Sequence, residues 1–265
     1  MKSFAIAVIV ILGLWFVPHV SATSEKAYQD YLYQSDRYRQ AITEFQTAKA
    51  EYEQYKSLSS QTAALAKTIT LLTQRNGMLR TYLLLLNEKL DEDTGLASHD
   101  KQSYQALLQS EIGFLEKNTA SITAVGSLEE AKDVSRNLES HYDMFSASVR
   151  RTIIGISLGR LNALARRYDE LTPAIQSLIT TYRNQYSPEK QATFDRWLVA
   201  ITNKRSLFQQ KADEITRNTT EMTGDHYDID RMFSQMLNSL GEARQFLADG
   251  ASYLRELIVA LQYRD

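Results

Sequence analysis

The chain has 265 residues, of which 43% are apolar and 23% charged, with 10 glycines, 3 prolines and no cysteine. This composition excludes a disordered or collagen-like chain, and the scarcity of turn-forming residues argues against an all-β fold. Because 30 basic residues stand against 32 acidic ones, the net charge is −2, and we expect no nucleic-acid binding. The lack of cysteine excludes disulfides, thiolate metal ligands and cysteine nucleophiles.

The first 22 residues have the pattern of a secretory signal peptide. Lys2 precedes an uncharged apolar run over residues 4–17, and small residues follow Pro18 as far as Ala22. This order predicts export to the periplasm or outside the cell, with cleavage after Ala22. The alternative is an uncleaved N-terminal membrane anchor, but the run would span only roughly 21 Å as a helix, against a hydrocarbon core of about 30 Å. No later apolar stretch is long enough to form a membrane-spanning helix, so we expect no stable membrane span in the mature chain.

A coiled-coil pattern dominates the beginning of the mature chain. Apolar or small positions alternate in steps of three and four residues, and Asn76 is a polar member that would fix the register. The spacing predicts one helix over residues 24–90, about 100 Å long. A phase slip near Ser57–Ser60 leaves open whether this helix is continuous. The seam positions are Leu58, Thr62, Leu65, Ile69, Leu72, Asn76, Leu79, Leu83, Leu86 and Leu90.

Helix boundaries further along the chain carry ordinary start and stop signals. Gly95 ends the first helix, and Gly126 ends a second helix that begins near His99. Ser127 and Glu130 then form a predicted capping box, which starts a third helix that runs to Leu171.

Two Xaa-Pro pairs predict further helix starts. Thr172–Pro173 and Ser187–Pro188 each combine an N-cap residue with proline at the first helical position. A short helix follows the first pair, a longer one follows the second and ends near Gly224, and a final helix completes the chain.

The predicted fold is all-α, an elongated antiparallel helical bundle of long coiled-coil-like helices over residues 23–265. Short links make consecutive helices antiparallel neighbours. We therefore expect the second and third helices to run back along the first, with the last three beside this pair. The bundle is predicted as a single domain, which can subdivide into sub-bundles 23–171 and 172–265.

The sequence contains no recognisable catalytic motif. The four histidines are far apart, and no Glu-x-x-His or His-Glu-x-x-His motif accompanies them. We expect His99, His141 and His226 to be surface or capping residues, while His19 leaves with the signal peptide. A Gly-x-Ser-x-Gly elbow and a glycine-rich phosphate loop are also missing. We therefore predict no enzyme, no cofactor, and no catalytic or metal-binding residue.

Two acidic clusters suggest calcium, but neither has EF-hand spacing. Asp91–Asp93 fits a helix end, and Asp225, Asp228 and Asp230 fit a helix start, where acidic side chains suit the helix dipole. The sequence favours these interpretations, and it leaves open whether Asp225, Asp228 and Asp230 bind a cation.

Tyrosine is unusually frequent, with 15 copies. A tyrosine-rich surface offers rigid amphipathic area that can bind peptides or glycans. The alternative is a helix seam, in which Tyr31, Tyr38 and Tyr52 share one face with Phe45. The tyrosines of the first helix are Tyr28, Tyr31, Tyr33, Tyr38, Tyr52 and Tyr55, of which Tyr28, Tyr33 and Tyr55 lie off the seam.

A second compositional feature is the Gly155-x-x-x-Gly159 spacing. In a membrane helix it would mark a dimer face, but the apolar run around it is too short to span a bilayer. We expect it to allow close approach of a neighbouring helix.

These observations favour a non-catalytic exported helical-bundle protein with a structural, scaffold or binding role in the cell envelope or outside the cell. Heptads can pair between chains as well as within one, so a protein partner or self-association through helices is open, and no small molecule is indicated. One alternative is a ligand-sensing or solute-binding helical domain that works with a membrane partner. A second alternative is a membrane-active toxin-like protein, for which residues 153–158 are the only candidate apolar segment.

Overall fold

A computed structural model describes residues 22–263, and the signal-peptide and anchor predictions therefore concern residues that lie almost entirely outside the described part. Within that part the chain forms six α-helices and no strand, which confirms the all-α bundle. In the same range, no helix combines the length and apolar content that a bilayer crossing requires. The helices are α1 (Ala22–Tyr55), α2 (Leu58–Glu92), α3 (Ser98–Thr123), α4 (Leu128–Tyr182), α5 (Pro188–Thr220) and α6 (His226–Gln262).

The predicted continuous helix over residues 24–90 is wrong, because the chain reverses direction at Lys56. Lys56 adopts a left-handed conformation with φ of 48°. Ser57 and Ser60 then form a capping box, in which Ser57 Oγ accepts from the Ser60 amide at 3.2 Å and Ser60 Oγ accepts from the Ser57 amide at 3.1 Å. α1 and α2 consequently form an antiparallel hairpin. Its open end is joined where the Ser24 amide donates to Glu92 Oε1 at 3.1 Å.

The hairpin changes the predicted arrangement of the first three helices. α2, α3 and α4 pack around one apolar core, while α1 lies on the outer side of α2. The predicted seam is confirmed over its later part, where Leu72, Leu83 and Leu90 are buried. It is wrong at its beginning, since Leu58 is 80% exposed at the corner of the hairpin.

α4 is 55 residues long and contributes to both ends of the molecule. Its first part packs against α2 and α3, and its later part packs against α5 and α6. The predicted restart at Thr172–Pro173 is wrong, because α4 continues through Pro173. Proline has no amide proton, so Pro173 cannot donate the helical hydrogen bond to the carbonyl of Asp169. Both residues are exposed to solvent, and water can therefore bond to that carbonyl instead. The boundary between the predicted sub-bundles falls inside this helix.

α5 and α6 form the second helical hairpin. Pro188 is the first residue of α5, as predicted, and Asp225 caps α6 by accepting from the Asp228 amide at 3.0 Å. Gly224 precedes this cap with φ of 119°, a conformation that favours glycine. The predicted apolar faces of both helices are confirmed by the full burial of Phe194, Ile201, Phe208, Ile215, Ile229, Ala243 and Leu257.

Candidate functional site

A tyrosine-lined groove lies between α1 and α4, with α2 as its floor. It exists because α1 and α4 both pack against α2 and leave a gap between them. The cavity has a volume of about 260 Å³. Its lining consists of Tyr31 from α1, Met78, Leu79 and Tyr82 from α2, and Tyr142, Phe145, Ser146, Val149 and Arg150 from α4.

Helical spacing explains why these side chains share one surface. Tyr142, Phe145 and Val149 follow each other at intervals of three and four residues, which places them on one face of α4. Phe145 is buried at the base, whereas Tyr142 is 54% exposed at the rim. On the side of the groove opposite Tyr142, Tyr31 and Tyr82 are in contact, with their ring centroids 5.3 Å apart and their planes inclined by 47°. The groove therefore has an apolar base and exposed aromatic area at its edge.

Tyr82, on the floor of the groove, is held in its neutral form. Burial raises the pKa of Tyr82, and the nearby Tyr31 phenol raises it further. Because a neutral phenol keeps its hydroxyl proton, Tyr82 presents an uncharged ring and a hydrogen-bond donor to anything bound there.

Two arginines lie along the groove. Arg150 lines the cavity itself, forms an ion pair with Asp230 of α6 and lies over the Phe233 ring, 5.3 Å from its centroid. Arg75 lies one turn before the cavity on α2, where its Nη1 donates to Ser135 Oγ at 3.2 Å. Its Nε and Nη2 are buried without a partner among the described residues, and this burial lowers the pKa of Arg75.

The structure separates the tyrosines of α1 as the sequence predicts. Tyr31, Tyr38 and Tyr52 are half-buried on the face toward α2, whereas Tyr28, Tyr33 and Tyr55 are exposed. Sequence reasoning did not include Tyr82 and Tyr142, which complete the groove from two other helices. The only signal for them was their place on apolar faces of their own helices, which does not say that these faces meet Tyr31.

A buried polar cluster joins α3 to α4 on another side of the core. Glu111 Oε2 lies 2.6 Å from His141 Nε2, and Ser148 Oγ donates to Glu111 Oε1 at 2.9 Å. The His141 ring stacks on Phe114 with centroids 3.7 Å apart. The expectation that His141 is a surface or capping residue is wrong, whereas His99 and His226 are exposed.

The same three residue types occur in serine hydrolases, but the order of contacts differs. In a catalytic triad the serine contacts the histidine, which then removes its proton. Here the carboxylate of Glu111 lies between Ser148 and His141 and accepts from the serine. The cluster therefore holds two helices together and supplies no activated nucleophile.

The acidic clusters act as helix ends, as the sequence favours. Asp93 Oδ1 accepts from the amides of Gly95 and Leu96 at 2.7 and 2.8 Å, which shapes the link after α2. Asp228 pairs with Arg231 at 3.0 Å, and Asp230 pairs with Arg150. Between residues 22 and 263, no group of three or more histidine or acidic side chains is arranged to hold a metal ion.

The two spaced glycines of α4 permit close packing, and the predicted approach of a neighbouring helix is confirmed at Gly155. A Cβ atom on Gly155 would lie 2.4 Å from the Tyr104 ring, and one on Gly159 would lie 2.4 Å from the Asp93 carboxylate. Gly155 therefore receives a side chain of α3, while Gly159 receives the link between α2 and α3.

A second cavity of about 430 Å³ lies where α4 and α5 meet the beginning of α3. Its lining is mostly polar and contains no aromatic residue. Two of its side chains already satisfy each other, since Gln209 Nε2 donates to Asp213 Oδ1 at 2.9 Å. The polar side chains that line it are Asp100, Asn162, Gln209, Asp213, Thr216 and Arg217.

Comparisons with protein-family models, with curated proteins and with solved structures found no match to this chain.

Proposed function

We propose that the protein is an exported, non-catalytic helical-bundle protein that binds a small ligand in the groove between α1 and α4. The observation that carries this proposal is the aromatic lining of a concave site formed by three helices. Ligand sites in proteins are typically concave and mainly apolar, with a few polar groups that fix the ligand's orientation. In the groove, the hydroxyls of Tyr31 and Tyr82, together with Arg150, would be these polar groups.

The size of the cavity favours a small solute over a folded partner at this site. A volume of about 260 Å³ accommodates a ligand on the order of ten non-hydrogen atoms. Of the roles that the sequence leaves open, this supports a binding role, and specifically the solute-binding alternative.

Export is the second part of the proposal, and it is supported by the signal-peptide pattern of residues 1–22. Cleavage after Ala22 would leave Thr23 and Ser24 in place, both of which bond Glu92 at the open end of the first hairpin. We expect the protein recovered outside the cytoplasm of a secreting host to begin at Thr23. Intact-mass measurement tests this, and a mass that includes residues 1–22 would contradict cleavage.

Methionine methyl NMR tests binding in the groove, because one methionine lines it. Met78 is the reporter, the exposed Met144 lies outside the groove, and Met222 is fully buried elsewhere. A panel of amino acids, sugars, carboxylates and quaternary amines would be titrated into the ¹³C-methyl-labelled protein. We expect at least one solute to shift the Met78 resonance saturably, with Met144 and Met222 unchanged. Uniform shifts, or none at Met78 across the panel, would contradict the proposal.

A further inference from the structure

We propose that the groove binds a zwitterion that carries a quaternary ammonium group and a carboxylate or phosphate. This inference rests on the proposed function and names the ligand class of that site. The positive group would lie among the aromatic rings of Tyr31, Tyr82 and Tyr142, and the anionic group would face Arg150.

The aromatic lining selects the cationic part of the ligand. The faces of aromatic rings carry negative electrostatic potential and attract cations, and cages of such rings recognise quaternary ammonium groups. Tyr31 and Tyr82 are already adjacent, with their ring centroids 5.3 Å apart, and Tyr142 is 54% exposed at the opposite wall. A ligand can therefore reach the Tyr142 ring without any rearrangement of the core.

The lack of a carboxylate in the lining selects a quaternary rather than a primary ammonium group. A primary ammonium has three N–H donors that need acceptors when they are buried. The lining of the described groove contains no acidic side chain, and Ser146 and the phenols are its only side-chain oxygens. A trimethylammonium group has no N–H donor, so the same apolar walls accept it at no cost in hydrogen bonds.

Arg150 selects the anionic part. Its guanidinium has five N–H donors, which is more than one carboxylate can accept. Asp230 already neutralises much of its charge, which reduces repulsion of a cation held a few ångströms away. A second carboxylate or a phosphate at Arg150 would form charge-assisted hydrogen bonds, so both ends of a zwitterion find a partner.

The second cavity offers different chemistry from that of the groove. Its walls contain Asp100, Asn162, Asp213 and Arg217 and no aromatic ring. Such a lining suits a polyol with many hydroxyls, whereas it offers no surface for a trimethylammonium group.

The test compares two probes of the same shape on the full mature chain by isothermal titration calorimetry. Glycine betaine carries the quaternary nitrogen, and in tert-butylacetate a carbon atom replaces it, so only the positive charge differs. We expect betaine to bind and tert-butylacetate to bind at least about tenfold more weakly, since three rings contribute to the preference. Choline, which lacks the carboxylate, should bind about tenfold more weakly than betaine.

Variants of the exposed Tyr142 test whether the preference for betaine arises in the groove, and they leave the core intact. Tyr142→Leu should weaken betaine binding about two- to fivefold and leave tert-butylacetate unchanged, while Tyr142→Phe should keep wild-type affinity because it keeps the ring. Tyr227→Leu is the matched control, since Tyr227 is 69% exposed on α6 outside the groove.

Equal affinity for the two isosteric probes would overturn the zwitterion proposal and leave groove binding intact. Failure of betaine to bind would also overturn it, while a Met78 shift by another solute would still support the proposed function. Betaine binding that Tyr142→Leu and Tyr227→Leu leave equally unchanged would place the ligand elsewhere and would contradict the assignment to this groove.

Discussion

The two ends of the molecule have interiors of different character. Of the twelve buried polar or charged residues in the described part, ten lie before residue 153, and Thr219 and Ser239 are the other two. The later part, residues 153–263, buries mainly large apolar side chains, among them Phe194 and Phe208. Both parts share α4, and the difference extends into this helix, because three of the ten early polar residues, Ser146, Ser148 and Thr152, lie on α4 itself.

The difference indicates two ways of holding helices together. Apolar burial supplies most of the free energy of folding but has little directional preference. Buried hydrogen bonds contribute little net free energy, yet they strongly penalise any arrangement that leaves them unmade. We infer that the later part supplies stability, while the earlier part fixes which faces of α2, α3 and α4 meet and so shapes the groove.

The largest expected effect is in the apolar part. Phe208 is fully buried at the contact of α5 with α4 and α6. Phe208→Ala should lower the free energy of unfolding by about 3–5 kcal/mol, because it removes a large buried side chain and leaves a cavity. Leu207→Ala is the control, since Leu207 is 39% exposed, and it should cost less than about 1 kcal/mol. Urea unfolding of both variants measures this, and similar losses would contradict it.

A smaller loss is expected from the polar cluster of the earlier part. Glu111→Ala leaves His141 and Ser148 without their buried acceptor, and it should cost about 2–3 kcal/mol. Glu116→Ala on the same helix removes an exposed ion pair with Arg80 and should cost less than about 0.5 kcal/mol. Urea unfolding again provides the measurement. A Glu111→Ala variant as stable as the Glu116→Ala variant would show that the cluster contributes nothing to stability.

The buried pair Asn76 and Asn118 tests directly whether polar contacts determine how the helices pair. Asn76 Nδ2 donates to Asn118 Oδ1 at 2.8 Å between α2 and α3, and both residues are buried. Asn118→Leu alone should cost about 1–2 kcal/mol, because Asn76 loses a partner. The double variant Asn76→Leu/Asn118→Leu should recover most of this loss, since two apolar residues replace a buried polar pair.

The same double variant should, however, order its helices less uniquely. We expect extra or broadened amide resonances from α2 and α3 in its NMR spectrum, and weaker ligand-induced shifts at Met78 in the groove. A double variant with a single sharp set of resonances would refute the inference that these polar contacts fix the helix pairing.

Much of the fold follows from local sequence signals, but the first hairpin does not. Helix starts at Ser127, Ser187–Pro188 and Asp225 are set by side chains adjacent in sequence, and the structure has them as predicted. The reversal at Lys56 has a weaker signal, because a lysine rather than a glycine adopts the left-handed conformation there and the box that caps α2 pairs Ser57 with Ser60 instead of with a glutamate or glutamine. The apolar spacing resumes after one slip, so periodicity alone does not distinguish a turn from a change in supercoil.

The groove was less predictable than the fold. Heptad spacing shows which face of a helix is buried, but it does not show which other helix covers that face. Tyr31 was correctly placed on the inner face of α1, yet its neighbours Tyr82 and Tyr142 depend on the unpredicted hairpin and on the register of α4. Pro173 was similarly misleading, because its tolerance inside α4 depends on solvent exposure that only the packed structure reveals.

A pH-dependent effect is expected in the apolar part. The Tyr168 hydroxyl donates to the Ile201 carbonyl at 2.8 Å, and burial raises the pKa of Tyr168 to about 12. The folded state therefore holds this proton more tightly than the unfolded chain, whose tyrosines have a pKa of about 10. The associated stability is fully present below pH 10 and is lost as the pH rises toward 12.

Tyr168→Phe should remove this part of the alkaline loss and cost about 1 kcal/mol at neutral pH through the missing hydrogen bond. Tyr227→Phe is the control, because Tyr227 is exposed and should leave the pH dependence unchanged. Unfolding free energies measured between pH 9 and 11.5 test this prediction. If Tyr168→Phe loses stability as steeply as wild type, other groups account for the alkaline loss.

The smallest expected effect comes from glycine-to-alanine substitutions within helices, and it should be equal in the earlier and the later part. Equal gains in stability would show that the two parts differ in their buried side chains and not in helix propensity. Gly113 on α3 and Gly241 on α6 both lie within helices, and an added Cβ atom would meet no atom within 4 Å at either position. Gly113→Ala and Gly241→Ala should each raise the free energy of unfolding by about 0.5–1 kcal/mol, because alanine loses less backbone entropy on folding. Differential scanning calorimetry of both variants makes the comparison. Unequal gains would mean that helix propensity, and not only the buried side chains, separates the two parts of the molecule.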